Sequence, residues 1–253
     1  MLASDVALFL TNTQFIGNAA GSIGGALAVQ ISATAPLAAR TLVAVDCLFQ
    51  SNALRPFPST TLAASGTAWY ISALAPASIS LQRVTFVENS LSWQLNQLRA
   101  SQVTAGGALG VYLANQAVLA LEDCRFARNR ASIRGVVVGQ LFSVGAGAQV
   151  YSIAALTSIL ITRCEFAANE IDVAVQGVTP QDAITLLVGG AGFGVQVLPT
   201  TFVTVANSTF TANSLSGTLT ASGFIHATGA AALLEFAMSG SVADFSACVF
   251  DAN

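Results

Sequence analysis

Seven evenly spaced F-x-x-N motifs, a Gly-rich entry ahead of the later ones, and period-two hydrophobicity between the two predict an all-β chain. The predicted class is a right-handed parallel β-helix, a solenoid of about seven coils, each with three short strands and a variable loop. The motif pairs are Phe15/Asn18, Phe49/Asn52, Phe86/Asn89, Phe126/Asn129, Phe166/Asn169, Phe210/Asn213 and Phe250/Asn253. Successive Phe residues stand 34, 37, 40, 40, 44 and 40 positions apart. Self-similarity at periods of about 20–50 residues marks stacked repeats, because one unit cannot bury its apolar face alone.

The entry reads GGALAV (24–29), GTAWYI (66–71), GGALGV (106–111), GAGAQV (145–150) and GGAGFGV (189–195). Its glycines suit a sharp turn into the next strand. Thr67 to Phe86, Gly107 to Phe126 and Gly147 to Phe166 are each 19 positions apart, so the block between entry and motif reads as fixed. Length varies after the Asn. The inserts 53–66, 90–105, 130–146 and 170–188 are therefore expected to leave one side as loops.

Inside GALGVYLANQAVLALEDCRFARN (107–129), Leu109, Val111 and Leu113 alternate with small or polar residues, and Asn115–Gln116 makes a bend. Val118, Ala120 and Glu122 then face opposite to Leu119 and Leu121, while Cys124 and Phe126 share a face. Short β-branched runs broken by Gly, Asn or Asp are strand-turn-strand signals. Helix signals are poor. Only SLSWQLNQLRASQ (90–102) admits a short helix, within an insert.

Equivalent positions of consecutive coils stack about 4.8 Å apart. The seven motif Phe residues are thus expected to form an internal aromatic stack, each ring burying about 150–250 Å2. The motif Asn residues are expected to mark the turn leaving the strand, to hold left-handed backbone there, and to hydrogen-bond from coil to coil. Cys47, Cys124, Cys164 and Cys248 each stand two residues before a motif Phe, a slot filled elsewhere by Thr13, Val84 and Ser208. The set implies a small buried position. Cys124 and Cys164 fall in adjacent coils, within disulfide reach, so a bond and a ladder of free thiols both stay open. No C-x-x-C or His pair offers zinc a site.

Charged residues make up only 8% of the chain, against about 25% in an ordinary domain. All nine basic residues are Arg, and the net charge is −3. Nucleic acid is excluded as a partner, since phosphate binding needs clustered cations. The one basic cluster, CRFARNRASIR (124–134), reads as a solvated loop, with an anion patch as the alternative. The uncharged stretches 135–162 and 183–234 reach membrane-span length, but Gly, Ser, Thr, Gln and Asn interrupt them and they keep the repeat register. No membrane span is expected. The N-terminus lacks a positive n-region and cleavage site. The chain starts inside one repeat and stops on a motif Asn, so the expectation is a single β-helix domain over 1–253, cut from a longer protein.

F-x-x-N paired with G-G-A-[ILV] resembles the repeats of chlamydial polymorphic outer-membrane proteins. More widely, it resembles the pectin-lyase-like right-handed β-helices of bacterial and protist surface proteins. The F-x-x-N half is intact in all seven copies; the G-G-A-[ILV] half is intact at Gly24–Leu27 and Gly106–Leu109. The resemblance implies a secreted or surface passenger, often an adhesin.

This fold class also hosts pectin-cleaving enzymes, which gather carboxylates for Ca2+ or paired acid–base work, with Arg, Lys or His beside them. Here the acids are dispersed. Asp46, Arg83, Asp123 and Arg163 share the slot before the Cys position and point outward, as a ladder of surface ion pairs. Glu165, Glu170 and Asp172 form the one local acid group. His226, the only His, sits between Ile225 and Ala227 and reads as structural. GGAGFG (189–194) lacks dinucleotide-binding spacing, and Asn207-Ser208-Thr209 is a bare glycosylation sequon. No catalytic residue, cofactor or metal ligand is expected. The function expected is a non-catalytic extracellular or cell-surface rod, structural or adhesin-like, presenting loops to a surface glycan or protein. The alternative is a β-helix that binds or cleaves polysaccharide.

Overall fold

The structure is a computed structural model that describes residues 2–4, 7–21, 24–32, 40–55, 66–100, 104–105, 107–153, 156–176, 184–197, 200–220, 223–236 and 241–253. Among these residues there is no helix, so none long and apolar enough to cross a membrane. Consecutive walls are joined by bends, and each strand pairs in parallel with its counterparts one repeat away. The chain is an all-parallel, right-handed β-solenoid.

The first sheet stacks Leu2–Ser4, Leu27–Ile31, Trp69–Ala73, Leu109–Leu113, Ala148–Ser152, Phe193–Val197 and Ala232–Phe236. The second stacks Leu8–Thr11, Thr41–Val45, Ala77–Gln82, Ala117–Glu122, Thr157–Thr162, Thr201–Ala206 and Val242–Ser246. The third holds the motif strands Gln14–Ile16, Leu48–Gln50, Thr85–Val87, Arg125–Ala127, Glu165–Ala167, Thr209–Thr211 and Val249–Asp251.

A fourth sheet corrects the three-stranded coil with loops. Ala19–Ala20, Ala53–Leu54, Ser90–Ala100, Arg130–Val144, Glu170–Gln176 and Ser214–Thr220 build it, and Thr104–Ala105, Ile184–Gly189 and Gly223–Thr228 extend it. Its long strands, Ser90–Ala100, Arg130–Val144, Glu170–Gln176 and Ser214–Thr220, occur four times. The complete four-sided turn is thus made about four times, rather than as seven equal three-stranded coils. The inserts 90–105, 130–146 and 170–188 are therefore largely wall. Of the insert 53–66, residues 56–65 lie outside the described residues.

The same alternation that builds the other walls explains this one. In Ser90–Ala100, Leu91, Trp93 and Leu95 are buried while Ser92 and Gln94 are exposed. With period two, a helix would scatter these side chains around its axis. The inward residues join Ile133, Val173 and Val175 in a second core, closed at the Gly-rich turn by Ala146 and Ala191.

The main core runs up the axis. Leu119 and Leu121 from the second sheet, Val111 and Leu113 from the first, and Phe126 from the third are buried together. The seven motif Phe rings form one continuous stack. Their centroids are 4.6 Å apart for Phe15–Phe49 and 4.8–4.9 Å apart for the five pairs from Phe49 to Phe250. Interplanar angles stay between 2° and 11°. The spacing is that of the strands, so the backbone ladder sets it and the rings follow.

Two details differ from the sequence reading. Register pairs Leu109 with Ala148, so Ala146, not Gly147, is the counterpart of Gly107. The copy containing Phe166 carries one more residue, taken up in the bend at Leu156, whose φ is 60°. And the left-handed residue is the one before each motif Asn: Ser51, Glu88, Arg128, Ala168, Ala212 and Ala252 have φ of 50–58°.

Candidate functional site: ladders, ion pairs and the fourth wall

The motif Asn residues form a hydrogen-bonded ladder. Asn129 Oδ1 accepts the Asn89 backbone N–H at 3.1 Å and Asn89 Nδ2 at 3.0 Å. Asn129 Nδ2 donates to the Phe86 carbonyl and to Asn169 Oδ1, both at 3.0 Å. The pattern runs from Asn18 through Asn52, Asn169 and Asn213 to Asn253. Asn52, Asn89, Asn129 and Asn169 are wholly buried. Asn suits this position because it alone brings two donors and an acceptor on a short stem. The role is structural, holding a turn whose backbone would otherwise be buried unpaired.

The Cys slot has a similar explanation. Cys124 Sγ donates to the Glu122 carbonyl at 3.4 Å and the Leu81 carbonyl at 3.3 Å, and Cys164 Sγ to the Thr162 carbonyl at 3.4 Å. Cys47, Cys248, Thr13 and Ser208 each donate to the carbonyl two residues back. Val84 alone keeps the volume and drops the bond. All four cysteines are free thiols, Cys248 only partly buried. A hydrogen bond between Cys124 and Cys164, together with burial, pushes the Cys164 thiol up, while the same bond lowers Cys124.

Outside, the arginines find carboxylates one repeat away. Arg83 grips Asp46 with both Nε (2.6 Å) and Nη2 (2.9 Å), and Arg163 grips Asp123 in the same way at 2.7 and 3.0 Å. Arg163 also reaches Glu122. These four slots adopt left-handed backbone, φ 53–55°, which turns the side chains onto the rod surface. The hydrogen bond from Arg83 holds the Asp46 carboxyl below its usual range, and Arg163 does the same to Asp123.

The basic cluster lies along two strands, Arg125–Ala127 and Arg130–Val144, each paired on both sides, and carboxylates neutralise it. Arg125 pairs with Glu165 at 3.0 Å, Arg128 with Glu88 at 2.9 Å, Arg130 with Glu170 at 3.2 Å, and Arg134 with Asp172. It is neither a free loop nor an open anion patch. The acid group Glu165, Glu170 and Asp172 is the other half of the same network. Asp172, 16% exposed at its side chain, also accepts from Ser216 Oγ at 3.1 Å. Among the described residues no three His, Cys, Asp or Glu gather as metal ligands. His226 lies in the strand Gly223–Thr228, in register with Leu187. Asn207 of the sequon is exposed in a left-handed bend, and the Ser208 hydroxyl is engaged with the backbone.

Within the fourth wall, sequence reasoning also missed a bulge. The strand Arg130–Val144 bends at Gly135, φ 124°, where its pairing with Ser90–Ala100 shifts register between Leu95 and Leu98. A bulge re-aims neighbouring side chains. Beside it, Arg134, Gly135, Ala174, Val175, Gln176 and Thr218 line a groove of about 290 Å3 on the outer surface of the fourth wall. The available signal was the lone Gly in an alternating run, S-I-R-G-V-V.

Comparison of the chain with protein-family models, with curated proteins and with solved structures gives no match. The solenoid and its side-chain arrays are therefore the ground on which a function is argued.

Proposed function

We propose that the chain is a non-catalytic, rigid rod of an extracellular or cell-surface protein, structural or adhesive in role, that presents its fourth wall to a surface glycan or protein. The observation that carries this reading is the in-register outer face of that wall. Ser92, Ser132, Asp172 and Ser216 occupy one row across four strands, and Gln94, Arg134, Ala174 and Thr218 the next. Hydroxyl, amide, carboxylate and guanidinium groups are thus held at strand spacing by backbone rather than by loops. Such a surface loses little conformational freedom when it meets an extended polar ligand. The F-x-x-N repeats support kinship with β-helix passengers such as the chlamydial proteins.

A second reading has one specific support. Arg130, Arg134, Glu170 and Asp172 converge beside the groove within two repeats, a mixture of carboxylate and cation of the kind polysaccharide-cleaving β-helices use. The test is a glycan-array screen of chain 1–253, with Arg134→Ala beside it, followed by incubation with pectin-type polymers. Binding that Arg134→Ala weakens, with polymer length unchanged, is the expected result. Shortening of a pectin-type polymer without stable binding would replace the rod by an enzyme.

A further inference from the structure

The second sheet carries on its outer surface the apolar residues that period-two alternation normally sends inward. Val118 is 49% exposed, Leu160 41%, Phe202 45% and Val242 54%. Register ties them together: Val118, Ser158, Phe202 and Val242 follow one another in one row, while Ala120, Leu160 and Thr204 lie in the next. Ile153 and Leu156, at the bend entering this sheet, are exposed beside them. Their inward neighbours Leu119, Leu121, Ile159, Ile161, Val203 and Val205 are buried, so the strands are apolar on both faces. A continuous exposed apolar patch on a soluble surface marks an interaction site, whereas scattered single residues do not.

The face has the anatomy of an interface. Over the six strands from Thr41–Val45 to Val242–Ser246, its outward charges are Glu122 and Asp244. Glu122 is at the margin, held by Gln82 Nε2 at 3.1 Å and by Arg163. The ion pairs Arg83–Asp46 and Arg163–Asp123 run along the same edge. An apolar centre with a charged rim is how protein interfaces are built.

We infer that this face is covered by the same face of a second copy of the chain, in a two-fold, sheet-on-sheet dimer. Three arguments select that occupant. The face carries no cation to attract an anionic lipid surface or nucleic acid, and its one charge off the Glu122 margin, Asp244, lies on the last strand of the stack. The surface is a parallel sheet with fixed strand spacing, and another sheet of equal spacing interdigitates with it at a separation of about 10 Å. The area suffices: six strands at about 4.8 Å and six residues at about 3.3 Å span roughly 570 Å2 per copy. Two copies bury about 1,100 Å2, above the lower bound of about 1,000 Å2 for a specific interface. A two-fold contact closes on itself, so association stops at two.

The experiment is sedimentation of chain 1–253 over a concentration series, with Leu160→Glu/Phe202→Glu and, on the fourth wall, Ser92→Glu. A closed dimer is expected for the wild type and for Ser92→Glu. In the double variant its dissociation constant rises at least about 100-fold, because each copy then buries unpaired charge. Circular dichroism checks that the double variant keeps its strands. Independently of that variant, a short bis-maleimide should cross-link Ser158→Cys, but not Ser92→Cys, into a covalent dimer. A wild type that stays monomeric at about 100 µM overturns the inference. So does an open-ended size series that the double variant leaves unchanged, which means stacking through the end strands. Co-flotation of monomeric wild type with phosphatidylcholine vesicles, lost in the double variant, gives the face to a membrane and also overturns it.

Discussion

Phe126 lies over Phe166 with ring centroids 4.9 Å apart and planes 2° from parallel. Both rings are wholly buried, and each has a further Phe on its other side. Truncating one removes contacts to two neighbours and leaves a cavity that parallel strands cannot close, because their spacing is fixed by hydrogen bonds. Phe126→Ala should therefore cost about 3–5 kcal/mol in guanidinium unfolding. Phe250→Ala, at a half-exposed ring with one stacked neighbour, should cost about 1 kcal/mol or less. Equal losses at the two positions would mean that the stack is not what holds the rod.

Asn129 offers a sharper test, since its replacement can keep shape and change only hydrogen-bond chemistry. Asn129→Asp retains the acceptor for Asn89 but loses both donors, those to Phe86 and Asn169. It also buries a carboxylate among acceptors. Burial and the facing carbonyl raise the folded-state pKa above the unfolded value of about 3.9. A raised acid pKa gives stability that is present below the unfolded pKa and lost as pH rises through the folded one. Asn129→Asp should thus melt well below wild type at pH 7 and approach it near pH 4. A melting deficit that does not depend on pH would remove the ladder from the account.

The surface pairs predict the opposite pH dependence. Arg83 and Arg163 lower the pKa of Asp46 and Asp123 in the folded state. The stability this brings is present above the unfolded pKa of about 3.9 and is lost as pH falls through the lowered folded values. Asp46→Asn/Asp123→Asn should melt slightly below wild type at pH 6. The two should converge on acidification below pH 3. The gap at pH 6 should shrink in about 1 M salt, as expected of exposed pairs. Melting curves in the two salts and at the two pH values check each part.

Much of this architecture was legible because a solenoid repeats its physics. One Phe every 34–44 residues has to meet its copies if the strands are parallel, so a linear spacing becomes a stack. The outward Asp46, Arg83, Asp123 and Arg163 were legible for the same reason, being one residue out of phase with the buried Cys slot. The fourth wall was not. S-L-S-W-Q-L alternates as strictly as V-L-A-L-E, but it stands where lengths vary between copies, which is ordinarily a property of loops. This wall can vary in length because one copy runs as a single strand, Arg130–Val144, where the next is split into Glu170–Gln176 and Ile184–Gly189, both paired with it. The dimer face was hidden in another way: alternation sets Val118 opposite Leu119 and Leu121, but only the pairing of successive strands brings it into one row with Phe202.

Gly135 is where the fourth wall is most easily broken. Its φ of 124° is closed to residues with a side chain, and a Cβ there would lie 2.1 Å from the Leu95 carbonyl oxygen. That oxygen belongs to the backbone of the paired strand and cannot swing aside. Gly135→Ala should therefore disrupt the wall between Ser90–Ala100 and Arg130–Val144 and uncover Trp93, which is buried in the second core. Trp69, in the main core against Phe49, should stay protected. With Trp69→Phe as background, so that Trp93 is the sole reporter, Gly135→Ala should shift the emission to the red and admit acrylamide quenching. The far-UV strand signal should fall only in part. Loss of the whole strand signal would mean that the fourth wall and the axial core fold as a single cooperative unit.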